Sequence, residues 1–136
     1  MRIVLDTNII ISALLHDSVK RAIIAFSGLE FCYPKEAMAE IEKYREYILE
    51  KSGLEEREFD DLLGLLFSEI ILIEQKRIDP CMEEARRIMD KIDPKDMIFI
   101  ACALALSESS IWSDDRHFRK QKKIRILNQR DVLGFL

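Results

Sequence analysis

The sequence contains few of the residues that mark fibrous, disulfide-bonded or histidine-based proteins. Its 136 residues include 4 Gly, 3 Pro, 3 Cys and 2 His, too little glycine and proline for a collagen-like or low-complexity chain. Cys32, Cys81 and Cys102 are odd in number, far apart and in no C-x-x-C pair, so we predict neither a disulfide framework nor a zinc cluster. With His16 and His117 alone, a histidine zinc site or a Ser-His-Asp triad is hard to assemble. Any catalysis should therefore depend on carboxylates.

Long apolar stretches are also missing. No run approaches the length of a membrane span, and the start of the chain lacks the basic segment, apolar stretch and cleavage site of a secretory signal. We therefore expect a cytoplasmic protein without a membrane partner. The length, with 49% hydrophobic and 34% charged residues, predicts one helix-rich globular domain over residues 1–136.

Positive charge is outnumbered by negative charge overall but is concentrated near the end of the chain. The net charge is −4, which argues weakly against a nucleic-acid partner. The stretch from 116 to 130 nevertheless contains no Asp or Glu and seven cations: Arg116, Arg119, Lys120, Lys122, Lys123, Arg125 and Arg130. Such a stretch either binds phosphates or is a solvated surface segment.

Hydrophobic periodicity predicts an alternation of strands and helices. We expect strands over 2–5, 30–33, 70–74, 110–113 and 124–127, and helices over 9–15, 18–28, 35–51, 54–67, 79–91, 94–106 and 129–136. This alternation predicts an α/β fold around a mainly parallel sheet. Active sites in such sheets lie outside the carboxyl ends of the strands, which places Asp6, after the first strand, near Asp114 and Asp115.

Acidic residues are abundant, so only their positions select candidates. Four are placed where a charge should face a crevice: Asp6, Glu40, Asp96 and Asp115. Each has an alternative interpretation. Asp6 is a suitable helix cap and Asp96 a favourable charge in a first helical turn.

Neighbouring acids also compete for these positions. Glu36 or Glu42 could replace Glu40, and Asp114 could replace Asp115, which would then cap the following turn. Asp93 is a secondary acid or a turn residue before Pro94.

Carboxylates that meet in one crevice repel each other unless a cation neutralises them. Mg²⁺ or Mn²⁺ suits oxygen ligands and often binds substrate phosphates as well. The chemistry that follows is hydrolysis of a phosphate ester by a metal-activated water.

Four stretches in this order resemble the PIN domains, metal-dependent single-strand ribonucleases related to 5′-nucleases. They are "IVLDTNIIISALL", "PKEAMAEI", "DPKDMIFIACALAL" and "IWSDDRHF". The resemblance implies a three-layer α/β/α sandwich with a parallel sheet, and RNA cleavage that depends on Mg²⁺ or Mn²⁺. Many small members of this family are the toxin of a toxin–antitoxin pair, form homodimers and are silenced by a small antitoxin protein, and the chain resembles them in size.

By position, the resemblance assigns the acidic site to four residues, which would bind metal and act in catalysis: Asp6, Glu40, Asp96 and Asp115. Thr7 and Asn8 match supporting polar residues. Ser113 stands where the family more often has Thr, and Asp114 is an additional acid that could join the metal ligands. The cations expected to contact single-stranded or structured RNA are Arg116, Arg119, Lys120, Lys122 and Lys123.

Other functions fit the sequence less well. A haloacid-dehalogenase-type phosphatase needs a second Asp two residues after Asp6, where this chain has Asn8, and a phospho-receiver domain needs an acid pair that Asp6-Thr7 does not supply. A PIN-like module that binds RNA or protein without cleavage stays open as the alternative.

Overall fold

One parallel sheet forms the centre of the computed structural model, which describes residues 1–16, 18–89 and 93–136. Within these residues the sheet has five strands: β1 (Arg2–Leu5), β2 (Glu30–Pro34), β3 (Ile70–Ile73), β4 (Ser109–Trp112) and β5 (Arg125–Leu127). Their order is β3-β2-β1-β4-β5, and each neighbouring pair is parallel. The α/β fold and the parallel sheet are confirmed.

Helices follow the strands as the alternation predicted. They are α1 (Thr7–Leu15), α2 (Ser18–Phe26), α3 (Met38–Lys43), α4 (Arg45–Ser52), α5 (Glu56–Ser68), α6 (Gln75–Ile78), α7 (Met82–Ile88), α8 (Met97–Ala105) and α9 (Gln129–Leu133). Helix α1 contacts α2, α3, α4 and α5, whereas α8 packs on α6 and α7 and against β1, β2 and β4. The arrangement is the expected three-layer α/β/α sandwich.

Apolar residues of the strands and of α8 form the core. Residues 3–5 of β1 and 99–103 of α8 are buried, as expected for a central parallel strand and a helix apolar nearly all round. The largest fully buried side chains include Phe31, Tyr33 and Trp112. The core therefore lies beneath the carboxyl ends of β1, β2 and β4 and fixes their positions.

The single helix predicted over 35–51 is divided in the structure. A 3-10 turn (Lys35–Ala37) leads into α3, and Tyr44, with φ −99° and ψ 8°, separates α3 from α4. Arg45, the first residue of α4, forms ion pairs with Glu42 and with Asp60 of α5, each at 2.9 Å. Contacts with another helix stabilise the bend, so local spacing did not reveal it.

Two further boundaries differ from the prediction. Helix α6 was not predicted, and a 3-10 turn (Asp79–Cys81) precedes α7, which begins at Met82 rather than at Pro80. The end of the predicted 79–91 helix includes residues 90 and 91, which lie outside the described residues. Among the helices of the described residues, none has the length and apolar content needed to cross a membrane.

Candidate active site

The strand order changes direction between β1 and β4. From β1 the sheet continues through β2 and β3 on one side, and through β4 and β5 on the other. Ligands of open α/β sheets bind in the crevice outside the carboxyl ends of the strands at such a point. Leu5 and Trp112 are paired as the last residues of β1 and β4, so the acids that follow these strands meet at this crevice.

Asp6 joins β1 to α1 and is 4% exposed. Its backbone N–H donates to the carbonyl of Trp112 at 3.1 Å, which holds the residue against the end of β4. The carboxylate oxygen Oδ2 accepts a hydrogen bond of 2.8 Å from Ser113 Oγ. The side chain forms no capping hydrogen bond to α1, so a capping role does not explain its position.

Ser113 connects two of the predicted acids. It is fully buried, and the oxygen that donates to Asp6 also accepts a 2.9 Å hydrogen bond from the backbone N–H of Asp115. Asp115 in turn accepts from the backbone N–H of His117 at 2.9 Å and so begins a 3-10 turn (Arg116–Lys120). Asp115 is therefore a cap, as one alternative predicted, while its carboxylate also lies at the crevice.

Asp96, Asp115 and His117 form a cluster in which one ligand atom from each lies within 4.8 Å of the others. Asp96 ends a 3-10 turn (Pro94–Asp96) before α8. Its Oδ2 is buried and has no hydrogen-bond partner among the residues that the structure describes. A buried carboxylate oxygen without a donor is costly, and a divalent cation would satisfy it. The two carboxylates fit Mg²⁺ or Mn²⁺, whereas the imidazole of His117 is not a ligand that Mg²⁺ prefers.

Electrostatics link Asp6 and Asp96 to the other predicted acids. The pKa of Asp6 is raised from 3.8 to about 6, chiefly by burial; the charges of Asp115 and Glu40 act in the same direction, and the hydrogen bond from Ser113 opposes them. Burial also raises the pKa of Asp96 to about 7, with contributions from Asp6, Asp115, Asp93 and Glu40. The charges of the four predicted acids therefore interact, although only Asp96 and Asp115 of the four belong to the group with ligand atoms within 4.8 Å. We call the four together the acidic centre: Asp6, Glu40, Asp96 and Asp115.

Tyr33, which the sequence analysis did not single out, joins the segments that carry Asp6 and Glu40. Its hydroxyl donates to the carbonyl of Ala37 at 2.9 Å, so the 2.7 Å contact between this hydroxyl and Thr7 Oγ1 has Thr7 as donor. Thr7 follows Asp6, and Ala37 directly precedes the helix that carries Glu40. The side chains of Thr7 and Tyr33 are both buried, so this hydrogen-bonded bridge fixes α1 relative to α3.

A family model of the PIN domain matches residues 4–130 of the chain. The chain belongs to the PIN domain family. PIN domains are generally nucleases and typically use divalent metals, which agrees with the acidic crevice. Comparisons with curated proteins and with solved structures each gave no match.

The remaining acids of this PIN domain have other partners or face solvent. Asp114 is exposed and pairs with Lys20 Nζ at 3.4 Å, and Glu42 pairs with Arg45, which lowers the Glu42 pKa. Glu36 is exposed. Asp93 accepts from the backbone N–H of Lys95 at 3.0 Å. These contacts favour Glu40 over its neighbours and Asp115 over Asp114.

Asn8 and His117 depart from the expectations. Asn8 is exposed, and no hydrogen bond of its side chain is found in the described residues, whereas Ser113 and Thr7 have the buried contacts given above. His117 was not predicted. Its Nδ1 lies 3.4 Å from Asp115 Oδ1. The sequence signal was its place two residues after Asp115, in the turn that Asp115 caps.

The five predicted RNA-contacting cations are exposed and lie in the 3-10 turn after Asp115 and in the segment that follows it. Arg116, Arg119 and Lys120 belong to the 3-10 turn after Asp115, and Lys122 and Lys123 follow it. An open groove of about 410 Å³ is lined by Arg119, Gln121, Lys122, Lys123, Ile124, Arg125 and Ile126. We call it the basic groove.

Proposed function

We propose that this PIN domain is a metal-dependent endoribonuclease that hydrolyses phosphodiester bonds of single-stranded RNA. The observation that carries the proposal is the buried Oδ2 of Asp96 beside Asp115, which has no partner within the described part of the chain and lies in a crevice where Asp6 has a raised pKa. An arrangement that is unfavourable without a cation is expected at a functional site.

Asp6, Glu40, Asp96 and Asp115 are the proposed ligands of Mg²⁺ or Mn²⁺ and the catalytic acids. When bound, such an ion supplies Lewis-acid activation of the water that attacks phosphorus. His117 stands at the exposed rim of the same cluster, where its ring nitrogen can donate to a phosphate oxygen when protonated. Asp114, tied to Lys20, would contribute as a ligand only after leaving that ion pair.

Supporting residues hold the acids in place. Ser113 orients the Asp6 carboxylate and fixes the Asp115 backbone with one hydroxyl. Thr7, through Tyr33, sets the distance between the elements that carry Asp6 and Glu40. Arg116 follows Asp115 directly, and its exposed side chain is placed to bind the phosphate backbone beside the scissile bond.

Cleavage of end-labelled single-stranded RNA in Mg²⁺ or Mn²⁺ tests the proposal. We expect cutting by the purified protein, none in EDTA and none by Asp6→Asn. Asp61→Asn, which removes an exposed acid of α5, is the matched control and should cut normally. Failure of the wild type to cut while it binds both metal and RNA would refute the nuclease and support a binding-only module. Such a module would keep its RNA affinity in Asp6→Asn.

We also propose that the protein acts in the cytoplasm as the toxin of a toxin–antitoxin pair, as a homodimer silenced by a small antitoxin. Family membership and chain length support this, and so does an apolar groove of about 450 Å³ between α2 and the end of the chain. Phe26 is 78% exposed there and Leu136 63%.

Expression without a partner should arrest growth, and Asp6→Asn should abolish the arrest. Light scattering tests the dimer.

A further inference from the structure

The basic groove lies away from the acidic centre. The chain leaves the carboxyl end of β4, passes through the 3-10 turn and enters β5 at Arg125, which pairs with Ser110. Leu127, two residues later, pairs with Trp112 at the carboxyl end. Each strand residue advances about 3.3 Å, so Arg125 lies roughly 7 Å before the end of the strand where the acids begin.

The groove is positively charged without internal compensation. Its charged lining residues are Arg119, Lys122, Lys123 and Arg125, and none of its lining residues is acidic. Among the described residues, no ion pair involves any of the four. Because the whole chain carries a net charge of −4, this patch opposes the overall charge. Local concentration of cations on an acidic protein favours a polyanionic ligand.

Gln121 gives the groove a fixed backbone. It is 8% exposed, and its Nε2 donates to the carbonyls of Phe118 at 2.8 Å and of Ile124 at 2.9 Å. Its Oε1 accepts from the backbone N–H of Ile124 at 2.9 Å. These three hydrogen bonds close the loop that presents Lys122 and Lys123, so the two lysines extend from an ordered turn.

An aromatic pair and a cation–π contact hold the two ends of this segment. Phe118 is fully buried and packs edge-on against Phe99, with ring centroids 6.4 Å apart. The guanidinium of Arg125 lies 5.8 Å from the centre of the Phe135 ring, which orients it beside the groove. The cations are therefore partly pre-organised, which lowers the entropic cost of binding a ligand.

We propose that the basic groove is a second RNA-binding site, which holds the phosphodiester backbone of the strand that flanks the scissile bond. This inference rests on the proposed function, because that function makes RNA the ligand. Lys122, Lys123 and Arg125 bind phosphates, and Gln121 is a positioning residue that sets the spacing of the lysines. Contacts of this kind strengthen binding without reading sequence.

Binding measured in EDTA separates this site from catalysis. Fluorescence anisotropy with labelled oligouridine would compare the wild type with Lys122→Ala/Lys123→Ala/Arg125→Ala over a range of salt. Each phosphate contact to a single strand contributes about 0.7 to the slope of log affinity against log salt. The triple variant should therefore lose about 2 from this slope and bind at least roughly tenfold more weakly at low salt.

Two further variants sharpen the test. Lys51→Ala/Arg57→Ala/Arg87→Ala removes three exposed cations from α4, α5 and α7 and should leave most of the slope intact. Gln121→Ala keeps every cation, so it should weaken binding with little change in slope. An unchanged slope in the groove variant, or an equal loss in the control variant, would overturn the proposal.

Cleavage assays distinguish failure of this site from failure of the nuclease. If the groove acts as proposed, the triple variant should raise KM for long RNA and leave kcat within about twofold. Absence of cleavage by the wild type together with a groove-dependent salt slope would refute the nuclease and leave the groove as an RNA-binding site. Normal cleavage with an unchanged KM in the triple variant would exclude the basic groove as an RNA-binding site.

Discussion

The acidic centre and the basic groove place opposite charges at the two ends of the connection between β4 and β5, and their environments differ. The acids are buried or half-buried, two have raised pKa values, and one buried oxygen has no donor among the residues that the structure describes. The groove cations are exposed, and the backbone beneath them is hydrogen-bonded through Gln121. A cation would complete the acidic centre, as we propose, whereas the backbone of the groove is already hydrogen-bonded and its charges are solvated.

Removal of a proposed acidic ligand should cause the largest loss of function. Asp96→Asn keeps the shape of the side chain but removes the negative charge that its Oδ2 shares. We expect cleavage and Mn²⁺ affinity to fall more than about 100-fold, because even residues behind a metal ligand cost about 10–100-fold when lost. Isothermal titration with Mn²⁺ and single-turnover cleavage measure the two effects. Activity near that of the wild type would exclude Asp96 from the site.

Ser113→Ala should have the next largest effect. It removes the donor to Asp6 and the acceptor for the Asp115 N–H, so both acids lose orientation. We expect a loss of about 10–100-fold in metal affinity, with recovery in Ser113→Thr, which restores the hydroxyl. Equal losses in the Ala and Thr variants would indicate a packing defect, which thermal melting would reveal.

The metal-free protein should lose stability as the pH rises. Between the unfolded pKa of Asp6, near 3.8, and its folded value of about 6, the folded state binds more protons. The free energy of unfolding therefore falls across this interval, by roughly 3 kcal/mol for Asp6. Asp96, with a pKa of about 7, extends the decline toward neutral pH.

Urea unfolding in EDTA at pH 5 and pH 8 measures this effect. Asp6→Asn should reduce the difference in the free energy of unfolding between pH 5 and pH 8. Mn²⁺ should stabilise the wild type at pH 8 by mass action. A free energy of unfolding that rises from pH 5 to pH 8 in EDTA would contradict this description of the acidic centre.

Tyr33→Phe should have a smaller effect. It leaves the Thr7 hydroxyl and the Ala37 carbonyl without this partner, at a cost of about 1–3 kcal/mol in stability. Because the bridge joins the segments of Asp6 and Glu40, metal affinity should fall as well. Tyr47→Phe changes an exposed residue and is the control. Reduced stability with unchanged metal affinity would limit Tyr33 to a structural role.

Asp114→Asn should have the smallest effect and would sharpen the contrast with Asp115. The pair with Lys20 involves an acid whose side chain is 57% exposed, and such pairs contribute about 0–1 kcal/mol. Lys20 keeps its 3.1 Å hydrogen bond to Gln129 Oε1. We expect cleavage within about fivefold of the wild type. A loss comparable to that of Asp96→Asn would make Asp114 a ligand.

The sequence revealed the parts of the fold that depend on local pattern. Strand β1, the apolar α8 and the alternation of elements follow from periodicity, and the sheet topology then brings Asp6 and Asp115 together. At the division between α3 and α4, Arg45 forms an ion pair with Asp60 of α5, a contact between helices. No local pattern signals such a bend, because residues 38–52 contain neither Gly nor Pro.

Site residues that follow strand ends could be predicted from the sequence. Site residues whose side chains meet across separate elements could not. Asp6 directly follows β1, and Asp114 and Asp115 both follow β4 closely, so position selected Asp6 and left Asp114 as an alternative to Asp115. Tyr33 lies inside a strand, where an aromatic residue normally indicates packing, and its hydroxyl contacts appear only once α1 and the 3-10 turn before α3 are placed. His117 is an isolated histidine, and only the turn capped by Asp115 brings it to the cluster.

The connection from β4 to β5 contains one 3-10 turn and no longer helix, although it joins two parallel strands. Its first residues belong to the acidic centre and its last to the basic groove, with Phe118 as a buried anchor between them. We therefore expect changes in the length or sequence of the segment after Phe118 to leave the acids in place. Under the proposed function, loop grafts between these two fixed points should change RNA affinity and leave the cleavage chemistry intact.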